Sequence, residues 1–155
     1  MKFLVVLFAV VILNSSNDCS CGYNVQRDFA RAEIVFKAKV AKIHKLENNK
    51  SYGQKAELNI TKTYKGAPES KIFIELGGCS TPRLSSNTEW IFFTNKENNI
   101  QALGSCNPSF MLEPKDFIRK NPERLKTWKN QLEKKLNLLD TCLLYTSPSP
   151  RDDIS

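Results

Sequence analysis

Residues 32–43 read AEIVFKAKVAKI, and this stretch decides the class of fold. From Ile34 to Val40, apolar side chains occupy every second position, with Lys37 and Lys39 between them. An alternation with a period of two predicts a β-strand with one face on a core and the other towards water. The stretch therefore predicts a long strand in a β-rich domain.

Four later segments share these features and predict four more strands, at residues 55–64, 71–76, 88–94 and 100–104. In the first of them, Ala56, Leu58 and Ile60 are expected to face the core. The sequence Trp90-Ile91-Phe92-Phe93 has no polar position, which predicts burial on both faces of that strand. Polar segments rich in turn residues separate the strands, at 47–53, 65–68 and 95–99.

After residue 120 the hydrophobic period changes to that of a helix. Asn121 is a good N-cap and Pro122 a good first helical residue. An apolar stripe then recurs at spacings of three and four, formed by Leu125, Trp128, Leu132, Leu136 and Leu139. Five strands and one amphipathic helix predict a mainly β fold, a small closed or nearly closed barrel such as an OB-type five-stranded barrel, with a C-terminal helix. Residues 22–31 are predicted as either an extended lead-in or a short helix.

The first 16 residues have the organisation of a secretion signal. Lys2 precedes an unbroken apolar run from Phe3 to Leu13, and Asn14-Ser15-Ser16 offers small residues for cleavage. The run is too short to span a bilayer, so we expect a secreted, extracellular protein without a membrane span. At the other end, residues 143–155 look like translated library-adapter sequence, and we expect the folded domain to cover residues 19–142.

The five cysteines fit an oxidising compartment, where disulfides persist. Cys19 and Cys21 are too close in sequence to pair comfortably with each other, so each needs a distant partner. Cys79 and Cys106 are the candidates, which leaves two cross-pairings open. Either one ties the N-terminus to the ends of the third and fifth predicted strands. No Cys-x-x-Cys pair supports a zinc site, and Cys142 is the odd cysteine.

The N-terminal pattern resembles a known family. Cys19-Ser20-Cys21, followed by Phe29 and the strand at 32–40, is similar to the start of the tissue inhibitors of metalloproteinases, which belong to the netrin-like domain superfamily. Further matches are Tyr64-Lys65-Gly66, Cys79, Glu89-Trp90-Ile91-Phe92-Phe93 and Cys106. The resemblance covers about residues 19–140 and implies the same five-stranded OB barrel. It also selects Cys19–Cys79 and Cys21–Cys106 as the bridges and a disulfide-tethered N-terminus.

The resemblance implies a secreted inhibitor of zinc metalloendopeptidases that has no cofactor and no metal of its own. In that family the mature chain starts at the first cysteine, here Cys19. Its α-amine and carbonyl oxygen chelate the catalytic zinc of the protease and displace the water that the enzyme activates. The next residue, here Ser20, enters the specificity pocket, and the segment Leu76-Gly77-Gly78 adds contacts with the protease.

Three features depart from the family pattern. The third bridge of the family uses a cysteine where this chain has Ala30, so the family pattern offers no cysteine there to match Cys142. The second disulfide domain of the vertebrate members is either absent or lost with the true end of the transcript. Cleavage directly before Cys19 places Asp18 at the last signal position, which signal peptidase disfavours. Cleavage after Ser16 instead leaves Asn17 as the first residue and moves the free amine away from Cys19. The mature N-terminus is therefore Asn17 or Cys19.

The alternative function is a non-inhibitory netrin-like module that binds matrix, growth factors or polyanions. The chain has a formal net charge of +7, and residues 115–135 carry eight basic against three acidic side chains. Such a helix is a candidate surface for heparan sulfate. No nucleic-acid-binding motif accompanies it, so we expect no nucleic-acid partner.

No arrangement of nucleophile, base and acid is evident from the spacing, and His44 is the only histidine. We therefore predict that the protein is not an enzyme. Asn49-Lys50-Ser51 and Asn59-Ile60-Thr61 are sequons for N-glycosylation, which makes Asn49 and Asn59 candidate modification sites.

Overall fold

The computed structural model of the chain describes residues 21–47, 49–76 and 81–146. The predicted signal peptide 1–16, Cys19, Ser20, Gly77, Gly78 and Cys79 lie outside the described residues, as do residues 147–155 of the predicted tail. The elements in chain order are α1 Val25–Arg31, β1 Ile34–Lys45, β2 Tyr52–Lys65, β3 Lys71–Glu75, β4 Glu89–Glu97, β5 Ile100–Leu103, β6 Phe110–Met111, α2 Asp116–Arg119 and α3 Pro122–Thr146.

Five strands form a closed barrel. Their order around the sheet is β1-β2-β3-β5-β4, and β4 pairs in turn with β1, so that no edge of the ring is left unpaired. The β3–β5 pair is parallel and the other four pairs are antiparallel. The short β6 adds to β4 outside the ring. The predicted mainly β fold, an OB-type five-stranded barrel with a C-terminal helix, is confirmed.

The core is divided into two clusters because β1 and β4 bury both of their faces. The first cluster fills the barrel with side chains from all five strands, among them Phe36, Phe92 and Leu103. The second cluster lies between the barrel and the helices, and includes Phe93 and Leu139. Trp90 and Phe92 belong to the first cluster, and Ile91 and Phe93 to the second. The prediction of burial on both faces of this strand is thus confirmed.

One predicted core position is wrong. In β2, Ala56 and Leu58 are buried as expected, but Ile60 is 37% exposed. The last pair between β2 and β3 joins Glu57 to Lys71, so Ile60 extends beyond the start of β3 and has no strand on that side. The alternation of residue types specifies the face of a strand, whereas the length of the neighbouring strand decides whether that face is covered.

The C-terminal helix begins as predicted and ends later. Asn121 caps it, because its side-chain oxygen accepts the Arg124 N–H at 3.1 Å, and Pro122 is the first helical residue. The helix continues to Thr146, past the predicted domain boundary at 142, and Leu143 packs against the second core cluster. The adapter-like origin of residues 143–155 stays a prediction.

The structure settles one open alternative and adds two elements. The segment 22–31 contains the helix α1 and is not simply an extended lead-in. The strand β6 and the single-turn helix α2 were not predicted, since two and four residues are too few for a periodic signal. Asn98 and Asn99 have φ values of 50° and 62°, which makes the β4–β5 turn a tight hairpin of the kind that asparagine favours.

The docking of α3 can be tested at Leu139, which is fully buried in the second cluster. We expect Leu139→Ala to lower the free energy of unfolding by about 2–5 kcal/mol, because it leaves a cavity where packing was complete. Leu144→Ala is the matched control on the same helix, since Leu144 is 79% exposed, and it should change stability by less than about 0.5 kcal/mol. Equal losses for both variants in urea titrations would contradict this packing.

Candidate functional site

A disulfide attaches the N-terminal segment to the barrel. Cys21 is bonded to Cys106, with the two Cα atoms 5.3 Å apart and 85 residues between them in sequence. This is the pairing implied by the family resemblance, and it excludes the alternative in which Cys21 pairs with Cys79. Cys106 lies in the left-handed region at φ 53°, a conformation that is uncommon for a residue with a Cβ. The loop after β5 is therefore bent where it receives the bridge.

Helix α1 fixes the residues that follow Cys21. The Asn24 side chain accepts the N–H of Arg27 at 2.9 Å, and Asp28 accepts the N–H of Asn24 at 2.8 Å. This reciprocal cap defines where the helix begins. The Arg27 guanidinium also donates to the carbonyl oxygen of Gly22. Residues 21–24 thus have a defined path from the disulfide into the helix.

The helix itself is anchored to the barrel. Phe29 is 3% exposed and lies in the second core cluster. The Lys65 ammonium on β2 donates to the carbonyl oxygens of Phe29 at 3.0 Å and Ala30 at 3.1 Å. A cation at this position satisfies carbonyls that have no partner within the last turn of a helix. The base of the N-terminal segment is consequently held by both apolar and polar contacts.

The parallel pairing of β3 with β5 decides what lies next to the bridge. Phe73 pairs with Ala102 and Ile74 with Leu103, so both strands end at the same side of the barrel. Gly104 follows β5 so closely beside Glu75 that a Cβ on it would lie 2.7 Å from the Glu75 Oε2. We call residues 21–24, 75–76 and 104–106 the N-terminal edge. It brings together three segments that are far apart in the sequence.

Two apolar side chains are exposed at this edge. Tyr23 is 52% exposed and Leu76 is 55% exposed. The backbone of Leu76 is fixed, because its N–H donates to the Ser51 carbonyl at 3.1 Å and its side chain lies directly over Gly53. Exposed apolar groups on a fixed backbone are suited to contacts with another protein.

The loop that carries Cys106 is fixed by side chains that sequence reasoning missed. The Asn107 amide donates to the Phe93 carbonyl at 2.9 Å, and Ser109 Oγ accepts the Phe93 N–H at 2.9 Å. Asn107 also accepts the N–H of Ser109 at 2.9 Å, which forms an Asx turn. The sequence Asn107-Pro108-Ser109 was the available signal, since these residue types favour such turns.

A polar cavity of about 390 Å³ lies beside the edge. Among its lining residues are the carboxylates Asp28, Glu75 and Glu97 and the guanidinium of Arg31. Across residues 21–47, 49–76 and 81–146, no group of three or more His, Cys, Asp or Glu side chains is arranged to hold a metal ion.

His44 lies apart from the edge, on the β1–β2 hairpin. Its Nε2 is 2.8 Å from Glu57 Oε1 on the neighbouring strand, a pair in which both side chains are partly exposed. The hydrogen bond with His44 lowers the pKa of the Glu57 carboxyl below its usual range. The pair is a cross-strand contact of the kind that stabilises a sheet.

The predicted glycosylation sites occupy different local structures. Asn49 is exposed in the β1–β2 loop, where its side-chain oxygen accepts the N–H groups of Ser51 and Tyr52, both at 2.9 Å. Asn59 is exposed within β2, opposite Lys39 on β1. Glycosylation at both positions stays a prediction.

The structure thus brings Cys21 and Leu76 to one edge. Cys21 was predicted as a disulfide residue and Leu76 for protease contact. The residues predicted for zinc chelation and further protease contact, Cys19, Ser20, Gly77 and Gly78, are neighbours of that edge in sequence. Comparison with models of known protein families and with curated proteins found no significant match to the chain. Within the described part of the chain, no helix is both long enough and apolar enough to cross a membrane.

The contribution of the bridge can be measured with a Cys21→Ala/Cys106→Ala double variant. We expect its free energy of unfolding to fall by about 2–5 kcal/mol, because the bridge closes a long loop and restricts the unfolded chain. Ser105→Ala, an exposed neighbour on the same loop, should change stability by less than about 0.5 kcal/mol. An unchanged urea midpoint for the double variant would show that the bridge contributes nothing to the fold.

Proposed function

We propose that the chain is a secreted inhibitor of zinc metalloendopeptidases and that it acts through its N-terminal edge. The observation that carries the proposal is the parallel β3–β5 pair, which brings Glu75, the residue before Leu76, beside Gly104 in the loop that carries Cys106, the partner of Cys21. The two segments expected to contact a protease, one preceding Cys21 and one following Leu76, both start from this edge. The family resemblance supplies the chemistry that such a pair of segments performs.

In the proposed mechanism Cys19 chelates the catalytic zinc of the protease. Its α-amino nitrogen and carbonyl oxygen replace the water that the zinc would activate, so hydrolysis stops. Two extended residues span at most about 7 Å, so Cys19 remains within that distance of the Cys21 backbone. Ser20 enters the specificity pocket, and Leu76, Gly77 and Gly78 extend the contact surface.

Rigidity of the edge supports this proposal. The disulfide, the reciprocal cap at Asn24 and the bond from Arg27 to Gly22 restrict residues 21–24 before any partner arrives. A segment that is already ordered loses little conformational entropy on binding, and more of its contact energy appears as affinity. The proposed Cys19–Cys79 bridge would restrain both contact segments further.

The mechanism depends on where the mature chain starts. Chelation requires a free, deprotonated amine at Cys19. A terminal amine ordinarily has a pKa of about 8, so binding to the metal must drive the loss of its proton. A chain that starts at Asn17 carries two extra residues before Cys19, and its amine is displaced from the zinc. Mass spectrometry of the secreted N-terminal peptide is therefore the first measurement.

The decisive assay compares two purified proteins, one starting at Cys19 and one at Asn17, against secreted zinc metalloendopeptidases. We expect the first to inhibit and the second to be weaker by at least about 100-fold, because a metal bond is lost. Ser20→Gly and Leu76→Ala, each in the chain starting at Cys19, should weaken inhibition and leave thermal unfolding unchanged. Leu144→Ala, which also truncates an exposed leucine, is the control for Leu76→Ala and should leave inhibition unchanged.

Two results would contradict the proposal. One is equal inhibition by the protein that starts at Cys19 and the protein that starts at Asn17, which would mean that the amine of Cys19 does not reach the zinc. The other is no inhibition by the folded chain that starts at Cys19. In the second case the alternative function, a binding module without an inhibitory N-terminus, would be the better interpretation.

A specific observation favours that alternative as a second candidate. Several exposed cations in the predicted basic segment 115–135 have no ion pair within the described part of the chain: Lys115, Lys120, Arg124, Lys126, Lys129 and Lys134. Arg119 differs, since it lies 3.5 Å from Glu113. Unpaired surface cations attract sulfated polyanions without a cost in broken ion pairs.

Heparin chromatography tests the second candidate. A triple variant, Lys126→Gln/Lys129→Gln/Lys134→Gln, should elute at a clearly lower salt concentration than the unchanged protein, because the helix loses charge. The matched control changes Lys42, Lys50 and Lys71 to Gln, which removes the same charge from exposed positions elsewhere. Equal shifts for the two triple variants would show that only net charge matters.

A further inference from the structure

A second surface lies apart from the N-terminal edge. An open groove of about 930 Å³ runs between α2, the first half of α3, β6 and the segment 81–88. None of the residues that line it belongs to the N-terminal edge. Its volume is within the range of natural ligand sites.

Aromatic and apolar side chains line part of the groove. Trp90, 7% exposed, forms part of the floor, and Trp128 and Leu132 of α3 form one wall. Phe117 on α2 also lines the groove and is 58% exposed. Trp128 and Leu132 belong to the apolar stripe of the C-terminal helix, but they lie in the groove and are absent from both core clusters.

One cation is set into this apolar surface. Lys135 lines the groove, and its ammonium lies over the Phe110 ring, 4.8 Å from the centroid. Burial lowers the pKa of this ammonium, and no carboxylate pairs with it within residues 21–47, 49–76 and 81–146. A half-buried cation without a counter-ion is stabilised when a partner supplies a carboxylate.

The remaining charges at the rim favour an acidic occupant. Arg83 and Lys115 are exposed there and have no ion pair in the described part of the chain. Arg119 and Glu113 are paired with each other, which leaves Asp116 as the one carboxylate against three cations among the lining residues. The Trp128 indole N–H adds a donor, since no residue in the described ranges accepts a hydrogen bond from it.

The geometry points to a docking site for an acidic, hydrophobic peptide segment of a partner protein. An aromatic or aliphatic side chain of the peptide fills the space between Trp128 and Phe117. A neighbouring Asp or Glu pairs with Lys135 at the floor, and further carboxylates meet Arg83 and Lys115 at the rim. Aromatic anchors with a desolvated charge pair are the usual composition of a strong peptide contact.

The protein carries its own probe for this site. Its two tryptophans, Trp90 and Trp128, both line the groove, so intrinsic fluorescence reports directly on an occupant. The ligand in the assay is a synthetic ten-residue peptide, capped at both ends, that alternates Asp or Glu with Phe or Leu. The comparison peptide has Asn and Gln in place of the acids. We expect saturable binding of the acidic peptide and at least about tenfold weaker binding of the neutral one.

Matched variants locate the contact. Lys135→Gln should raise the dissociation constant of the acidic peptide by about five- to tenfold, because it removes a charge-assisted hydrogen bond. Lys134→Gln removes the same charge from the adjacent exposed position, which lies outside the groove. It should change the dissociation constant of the acidic peptide by less than about twofold. Phe117→Ser should weaken binding of the acidic peptide by at least about threefold. This variant tests the site independently if Lys135→Gln does not fold.

Three outcomes would overturn the proposal. One is no saturable fluorescence change with the acidic peptide. Another is an equal loss for Lys134→Gln and Lys135→Gln, or displacement of the peptide by a heparin octasaccharide, since either indicates general attraction to the basic helix. The third is binding of dodecanoate in place of the peptide, which would make the groove a lipid site.

Discussion

Strand β4 is the constraint on which the rest of the molecule depends. Its antiparallel pairing with β1 closes the barrel, and its residues 90–93 alternate between the barrel interior and the layer beneath the helices. A strand covered on both faces must be apolar at consecutive positions, and it couples two clusters that would otherwise pack independently. The loop that carries Cys106 is also bonded to β4 through Asn107 and Ser109. Core packing and the position of the N-terminal segment therefore share one strand.

Closure of the barrel also determines which segments become neighbours. The ring requires β3 to pair with β5, and in this pair the two strands run parallel. Parallel strands end at the same side, so the chain after β3 and the chain after β5 emerge together, and the disulfide adds the N-terminus to them. No separate ordering of loops is needed to bring these segments together, because the barrel already places their ends side by side. Loops on a rigid scaffold commonly provide surfaces of this kind, in which several chain segments meet.

The two proposed surfaces depend on different kinds of interaction. The N-terminal edge is a small surface held by a covalent bond and capping hydrogen bonds, and in the proposed function it supports the adjoining Cys19, whose backbone would bind a metal in another protein. The groove beside α3 is apolar with a cation, Lys135, set against Phe110. The second half of α3 packs on the second core cluster through Leu136, Leu139 and Leu143, whereas Trp128 and Leu132 of its first half line the groove. One helix thus serves as a core element at one end and as the wall of a site at the other.

The sequence by itself determined the five strands, the double-sided burial of residues 90–93 and the cap at Asn121. Each of these depends on periodicity or on local backbone chemistry, which a linear pattern records directly. The family resemblance, not the spacing of the cysteines, indicated which one Cys21 would join. Only the tertiary structure decided that Ile60 is exposed, that Trp128 lines a groove and that Glu75, next to Leu76 in the chain, lies beside the loop that carries the Cys21–Cys106 bridge. The physical reason is common to all three: whether an apolar face is covered, and which loops meet, depends on where distant strands and helices begin and end.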